Sequence, residues 1–143
     1  MAEHPITFHT QHPTFRMRDS RLTKRWLTEC AAEHSAKIQG VHYLFCSDEH
    51  MLKANRQFLG HDYYTDILTF PGHSSNGISG DILISIDRVR DNARTQKQSP
   101  QHELARVMAH GVLHLIGYRD DTDEHRDEMR QAENRWIRRR FSP

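Results

Sequence analysis

Cysteine is scarce in this sequence, and long apolar runs are absent from it. The 143 residues include two cysteines, Cys30 and Cys46, and neither has a second cysteine at the spacing of a metal-binding pair. We therefore expect two reduced, buried thiols rather than a disulfide framework or a thiolate metal site. No apolar run approaches the roughly 20 residues that span a membrane, so we expect no membrane partner.

A large net charge and a leader-like beginning are also missing. The formal net charge is +1, so composition alone does not indicate a protein that binds polyanions. The first ten residues, MAEHPITFHT, contain neither the basic nor the apolar segment of a secretory signal. We expect a cytoplasmic protein with a single domain over residues 1–143.

Charge is nevertheless unevenly distributed in the last part of the sequence. An acidic segment, DDTDEHRDE over residues 120–128, precedes a basic segment, RWIRRRF over residues 135–141. The basic segment fits a solvated helix end, where cations complement the helix dipole. It fits equally well a surface that contacts phosphate groups, so both interpretations stay open.

Apolar periodicity predicts secondary structure in the order β-α-β-α-β-β-α-α-α. The predicted strands cover residues 5–10, 41–47, 65–70 and 81–86. The predicted helices cover residues 20–35, 48–58, 100–117 and 122–140, with one more starting near Asp87. Residues 73–80 read as a loop, and Asp19 or Ser20 is expected to cap the first helix.

The helix over residues 100–117 is apolar on much of its circumference, which is typical of a buried central helix. Strands and helices interleave early in the chain and helices cluster late. We therefore predict an α+β fold, with a small mixed sheet of about four strands covered by helices.

The central helix ends in a pattern that predicts a metal site. His110 and His114 lie four residues apart, which places them on one helix face. Gly117 allows the chain to leave the helix through a left-handed turn, which brings Asp120 back beside the imidazoles. Two imidazoles on an apolar helix are costly without partners. The pattern predicts one zinc ion per chain, held by His110, His114 and Asp120.

The spacing of this site matches that of the metzincin proteases, H-E-x-x-H-x-x-G-x-x-H. The scaffold is therefore zincin-like, but Gly111 stands where those proteases have glutamate. That glutamate is their general base, and a glycine accepts no proton. A peptidase is therefore the least favoured function.

A more specific resemblance connects four blocks of this sequence. HGVLHLIGY, over residues 110–118, resembles the signature HGxLHLxGYDH of the YbeY endoribonucleases. YTDILTFP over 64–71 is similar to that family's TDVLSFP, and GDILIS over 80–85 and DEM over 127–129 are similar to two further blocks. The resemblance implies a zincin-like fold and a single zinc. It also implies cleavage of single-stranded RNA in ribosomal RNA maturation and ribosome quality control, with ribosomal RNA or the ribosome as partner.

Two positions depart from the family's pattern. Asp120 aligns with the family's third zinc ligand, a histidine, and an aspartate there lowers the site's charge by one. The metal is then a weaker Lewis acid and less selectively zinc. His125 is the alternative third ligand, although it falls inside the last predicted helix. Leu59 stands where the family has an arginine, and Arg56, Lys53 and His61 are the candidates to replace it.

The catalytic base is not identified by the sequence. Asp66 either lines the site or caps a strand, and both alternatives remain open. A groove for RNA has five basic candidates, which are Arg56, Arg88, Arg90, Arg94 and Lys97. Besides the endoribonuclease, we keep two other functions open: a ribosome-associated factor without catalysis whose zinc is structural, and a zincin-like peptidase.

Overall fold

The elements follow the predicted order in a computed structural model that describes residues 4–142, so the predicted domain of residues 1–143 extends beyond these at both ends. The strands are β1 (Ile6–Thr10), β2 (Ile38–Cys46), β3 (Ile67–Pro71) and β4 (Ile78–Ser85). The helices are α1 (Ser20–Glu33), α2 (Asp48–Leu59), α3 (Ile86–Gln96), α4 (Pro100–Ile116) and α5 (Asp123–Phe141). The predicted α+β class is confirmed.

The four strands form one mixed sheet in the order β1-β2-β4-β3. β1, β2 and β4 are parallel, and β3 runs antiparallel to β4 at the edge. The parallel pairs need helical crossovers, and α1 connects β1 to β2. Within residues 4–142, no helix combines the length and apolar character needed to cross a membrane.

The two faces of the sheet carry cores of different size. Alternate residues of β2 point to opposite faces. Tyr43 and Phe45 are buried in the larger core, which packs against α1, α3, α4 and α5. Cys46 instead joins a smaller cluster with Met51 and Leu68 beside α2. The expectation that both cysteines are unpaired and buried is confirmed.

Helix α4 lies at the centre of the larger core, as predicted. It contacts α1, α3, α5 and both β3 and β4. Ser99 caps its start by accepting a hydrogen bond from the His102 backbone N–H at 3.0 Å. The Tyr43 hydroxyl donates to the Met108 carbonyl at 2.9 Å, which ties the helix to the sheet. The polar end of a buried tyrosine thus has a partner.

Three local predictions differ from the structure: the cap of α1 and the first residues of β2 and β4. Asp19 occupies the cap position of α1, but its backbone is left-handed, with φ of 55°, and its side chain makes no capping hydrogen bond. β2 begins at Ile38 rather than at 41, because Ile38 pairs with Ile78 across an irregularity in the register. Because of the same pairing, β4 begins at Ile78, within the predicted 73–80 loop. The glycines and serines of that segment predicted a loop rather than a strand.

Candidate active site

The turn that ends α4 returns the chain to His110. Gly117 has φ of 129°, a conformation that residues with a Cβ rarely adopt. The Tyr118 backbone N–H then donates to the Leu113 carbonyl at 3.0 Å, which closes the turn. Three residues beyond the glycine, Asp120 Oδ2 lies 3.5 Å from His110 Nε2. The predicted approach of Asp120 to His110 is present, while their role as metal ligands stays a prediction.

The other nitrogen of His110 is held by a carboxylate from α5. His110 Nδ1 lies 2.8 Å from Glu133 Oε2, and Glu133 is only 4% exposed. The second carboxylate oxygen of Glu133 accepts from Arg106 at 3.2 Å. A carboxylate only accepts hydrogen bonds, so Nδ1 carries a proton, and Nε2 is the nitrogen that faces Asp120. This is the arrangement that metal-ligating histidines usually have.

Opposing effects act on the protonation of His110. Burial lowers the pKa of the imidazole, but the hydrogen bond to Glu133 and the nearby carboxylates outweigh it. The net pKa is therefore raised above its usual value. These carboxylates favour a cation at this position, whether a proton on the ring or a metal ion beside it.

A cavity of about 420 Å³ opens beside this group. Its lining includes Asp66, Glu103, Arg106, His110, Asp120 and Glu133. Asp66 thus lines the cavity, and its backbone carbonyl also accepts from the Ser85 N–H at 2.9 Å. Burial raises the pKa of the Asp66 carboxyl, although His110 opposes the shift. One oxygen of Glu103 is buried without a hydrogen-bond partner among the described residues.

His114 is not part of this cavity as it stands. It lies one turn beyond His110 on α4 and is exposed to solvent. Among residues 4–142, no three His, Cys, Asp or Glu side chains converge as a metal site. The chemistry of the set nevertheless fits zinc, since two imidazoles and a carboxylate are ordinary zinc ligands. Only His110 and Asp120 are already together.

The alternative candidates lie elsewhere. His125 is in the first turn of α5, as predicted, where its Nδ1 is 2.6 Å from Asp121 Oδ1. Arg56 is exposed on α2 and pairs with Asp62. Neither residue lines the cavity around His110. Leu59, at the position of the family's arginine, is exposed at the end of α2.

The predicted RNA groove is not a continuous row of available cations. Arg88 and Arg94 both pair with Asp91, and Arg88 also pairs with Asp48. In the basic C-terminal segment, Arg139 pairs with Glu29 and Glu33 of α1. A helix end packed on its neighbour explains at least this part of the segment.

Gly111 packs directly on the sheet. A Cβ placed there would lie 2.8 Å from Ile82 Cδ1 and 3.2 Å from Ile67 Cδ1. Because real Cβ atoms avoid such distances, a glutamate side chain has no room at this position without a shift of the core. Gly111, which argues against a peptidase, is therefore also favoured by the close packing of α4 on the sheet.

Sequence reasoning missed Glu133 and Arg106, which hold His110 in place. A signal was present: Glu133 falls among the inward-facing residues Met129, Ala132, Trp136 and Ile137 of α5. A carboxylate at a core-facing position needs a buried partner. Sequence does not show which partner that is, because residues 110 and 133 meet only after α5 packs on α4.

The chain is similar to known proteins over most of its length. The sequence model of the family described as Endoribonuclease YbeY matches residues 6–140. The Endoribonuclease YbeY of Cytophaga hutchinsonii is 45% identical over 135 residues, which cover 94% of this chain and 94% of the relative. The Endoribonuclease YbeY of Bacteroides thetaiotaomicron is 40% identical over 130 residues, which cover 91% of this chain and 95% of the relative.

A solved structure shows the same fold. The solution structure of TM1509 from Thermotoga maritima matches with a TM-score of 0.62 and 28% identity, over 95% of this chain and 89% of that one. The family match begins with β1 and runs into the last turn of α5, so it includes every element that builds the cavity around His110. The chain belongs to the Endoribonuclease YbeY family.

Proposed function

We propose that this chain is a zinc-dependent endoribonuclease that cleaves single-stranded RNA during ribosomal RNA maturation and ribosome quality control in the cytoplasm. The family supplies the reaction class, since its members carry the name endoribonuclease. The observation that carries the proposal is the state of His110. One ring nitrogen is fixed by the buried Glu133, and the other faces Asp120 across 3.5 Å.

The zinc ligands in this proposal are His110, His114 and Asp120. Zinc supplies Lewis acidity toward water and toward a phosphoryl oxygen. Three protein ligands leave a coordination position open, which a closed structural site does not. Asp66, at the same cavity, is our candidate for proton transfer, because burial raises the pKa of its carboxyl toward the range that suits a general base.

The proposal is tested by cleavage of a labelled single-stranded RNA and of the same RNA annealed to its complement. His114→Ala is the variant to compare, because removing this exposed side chain leaves the core intact. His73→Ala, in the exposed loop before β4, is the matched control. Zinc per chain is measured by elemental analysis for each protein. We expect His114→Ala to lose cleavage and zinc together, and His73→Ala to keep both.

The other outcomes assign the other functions. Zinc retained by all proteins without any cleavage indicates the ribosome-associated factor with a structural zinc. Equal cleavage by His114→Ala and its control indicates that the activity does not use this site. Digestion of casein by the zinc-loaded protein, lost in His114→Ala, indicates the peptidase.

Asp120→His sharpens the test of the third ligand. It restores the histidine of the family's signature and raises the charge of the site by one. We expect tighter zinc binding and retained cleavage, while Asp120→Asn weakens both because a neutral amide is a poor zinc ligand. Unchanged zinc affinity in Asp120→Asn, with loss in His125→Ala, assigns the third position to His125.

A further inference from the structure

A second cavity, of about 390 Å³, lies on the side of α4 away from His110. Leu104, Ala105 and Met108 face this cavity, while Glu103, Arg106 and His110 face the first one. With 3.6 residues per turn, the two sets occupy opposite faces of the same helix. The second cavity is closed on its other sides by residues 14–19, α1, α3 and the end of α5.

The floor of the second cavity is aliphatic and aromatic. It includes Trp26, Ile86, Val89, Leu104 and Met108, all of which are 9% exposed or less. Few polar side chains interrupt it, the main ones being Thr14, Thr23 and Gln101. A concave apolar floor of this size is typical of a ligand pocket. It suits one large apolar side chain better than a group that needs several hydrogen bonds.

The rim of the second cavity is positively charged. Arg16 and Arg18 come from the segment before α1, Arg90 from α3 and Arg140 from α5, against one carboxylate, that of Asp19. Within residues 4–142, none of these four arginines forms an ion pair. Cations left unpaired around an apolar floor are complementary to an anionic partner.

Two of the rim arginines are already positioned. Arg90 donates to the Thr14 hydroxyl at 3.0 Å and to its carbonyl at 3.3 Å. The Arg140 guanidinium lies 5.0 Å from the centre of the Phe141 ring. Side chains held in place before binding lose less conformational entropy when a partner arrives.

The arrangement favours a peptide over the other anionic ligands. A fatty acid carries one carboxylate, whereas the four arginines lie on three different segments. Single-stranded RNA binds through aromatic faces on which bases stack. Here Phe141 already stacks on His102, with ring centres 5.2 Å apart, and Phe15 packs on Phe45. The aromatic rings at this cavity are thus engaged within the protein.

We infer that the second cavity binds an acidic segment of a protein partner, with one aliphatic or aromatic side chain inserted between α1 and α4. Aspartates and glutamates on either side of that anchor pair with the rim arginines. The second cavity shares no lining residue with the cavity around His110, so variants can change one cavity without changing the residues of the other. This inference does not rest on the proposed function.

The test uses fluorescein-labelled peptides in which one Leu, Ile, Met, Phe, Tyr or Trp lies between Glu and Asp residues. Binding to the full chain is followed by fluorescence anisotropy. Control peptides carry serine at the anchor position, or Gln and Asn in place of the acids. We expect at least one acidic peptide to bind, and both kinds of control peptide to bind at least about tenfold more weakly.

A pair of protein variants locates the binding. Arg16→Ala with Arg18→Ala removes two rim charges, and we expect about tenfold weaker binding. Arg21→Ala with Arg25→Ala removes the same charge from exposed positions of α1 outside the cavity, and we expect a change below about twofold. Methyl resonances of Ile86, Leu104 and Met108 are expected to shift when the peptide binds.

Four results overturn the inference. The first two are that no acidic peptide binds, or that the serine-anchored peptides bind equally well. The third is an equal loss of binding in both double variants. The fourth is that a single-stranded RNA binds more tightly and displaces the peptide, as followed by the methyl resonances of the cavity. A dimer that dissociates in Arg16→Ala with Arg18→Ala, measured by light scattering, instead assigns the cavity to a second copy of this chain.

Discussion

Helix α4 separates two cavities that handle charge in opposite ways. Around His110, the buried carboxylate of Glu133 is shared between His110 and Arg106. Around Leu104, the floor is apolar, and none of the four rim arginines forms an ion pair within the described residues. A buried charge needs a partner inside the protein, whereas a charge at a rim is solvated without one. The first cavity therefore organises its own groups, and the second is complementary to something outside.

The largest effect is expected from a substitution that removes the carboxylate of Glu133 from the first cavity. Glu133→Leu leaves the guanidinium of Arg106, whose side chain is 14% exposed, without its buried partner. We expect the free energy of unfolding to fall by about 3 kcal/mol or more, measured by urea denaturation. Zinc affinity should fall by about 10- to 100-fold, because the orientation of His110 is lost.

A matched variant separates this effect from a general cost of α5 substitutions. Glu128→Leu changes an exposed glutamate of the same helix and should alter stability by less than about 0.5 kcal/mol. Adding Arg106→Met to Glu133→Leu should recover much of the lost stability but not the zinc affinity. Equal destabilisation by Glu128→Leu and Glu133→Leu would contradict the proposed pairing.

The second largest effect is a loss of stability from a substitution on the apolar side of α4. Leu104→Ala deletes buried methyl groups from the floor of the second cavity, and we expect a loss of about 2 kcal/mol in urea denaturation. RNA cleavage at a temperature where the variant is folded should be unchanged. Leu22→Ala, at a position 40% exposed, is the control and should cost much less. Cleavage lost in folded Leu104→Ala would show that the two faces of α4 are coupled.

A smaller effect tests the turn that brings Asp120 to His110. Gly117→Ala forces a Cβ into a backbone with φ of 129°, and we expect a cost of about 1 kcal/mol or more. Gly60→Ala, where φ is 67° and no atom lies within 4 Å of the added Cβ, is the matched control with a similar cost. Only Gly117→Ala should weaken zinc binding, measured by competition with a chelator. Equal zinc affinity in both variants would show that the turn at Gly117 does not contribute to zinc binding.

The smallest effect depends on pH. Burial raises the pKa of Glu103, the Asp66 carboxylate adds to the shift, and Arg106 opposes it. The ionised Glu103 therefore destabilises the folded state, and protonation relieves this cost as the pH falls through the raised pKa. We expect Glu103→Gln to raise the Tm most at alkaline pH. The gain should shrink as the pH falls toward about 4.3, the pKa of an unperturbed glutamate. A gain independent of pH would contradict the raised pKa, because it would mean that the pKa of Glu103 is the same in the folded and the unfolded states.

The contrast between the cavities also explains what the sequence could predict. The central helix, its Ser99 cap and the stop at Gly117 are local features, and each is confirmed. The approach of Asp120 to His110 follows from them, because the two residues are ten positions apart with one turn between them. Asp19 makes no capping hydrogen bond although its residue type is suitable, and its backbone is left-handed rather than in the extended conformation that a cap residue usually has.

The partners that act over long sequence separations were not predictable. Glu133 and His110 are 23 residues apart, and Tyr43 and Met108 are 65 apart. The second cavity is built by segments from both halves of the chain, from residue 14 to residue 141. Periodicity shows which side of an element is buried, but not which residue of another element it meets.

The contact between α5 and His110 has a consequence for the order of folding. Synthesis proceeds from the N-terminus, and α5 follows the other elements of residues 4–142 along the chain. The sheet and α4 are therefore available before Glu133, and until α5 docks the His110 ring lacks the acceptor that fixes its tautomer. A nascent chain that has reached only α4 carries the histidines of the site without their orientation. If the chain cleaves RNA as proposed, that activity begins only when its last helix is in place.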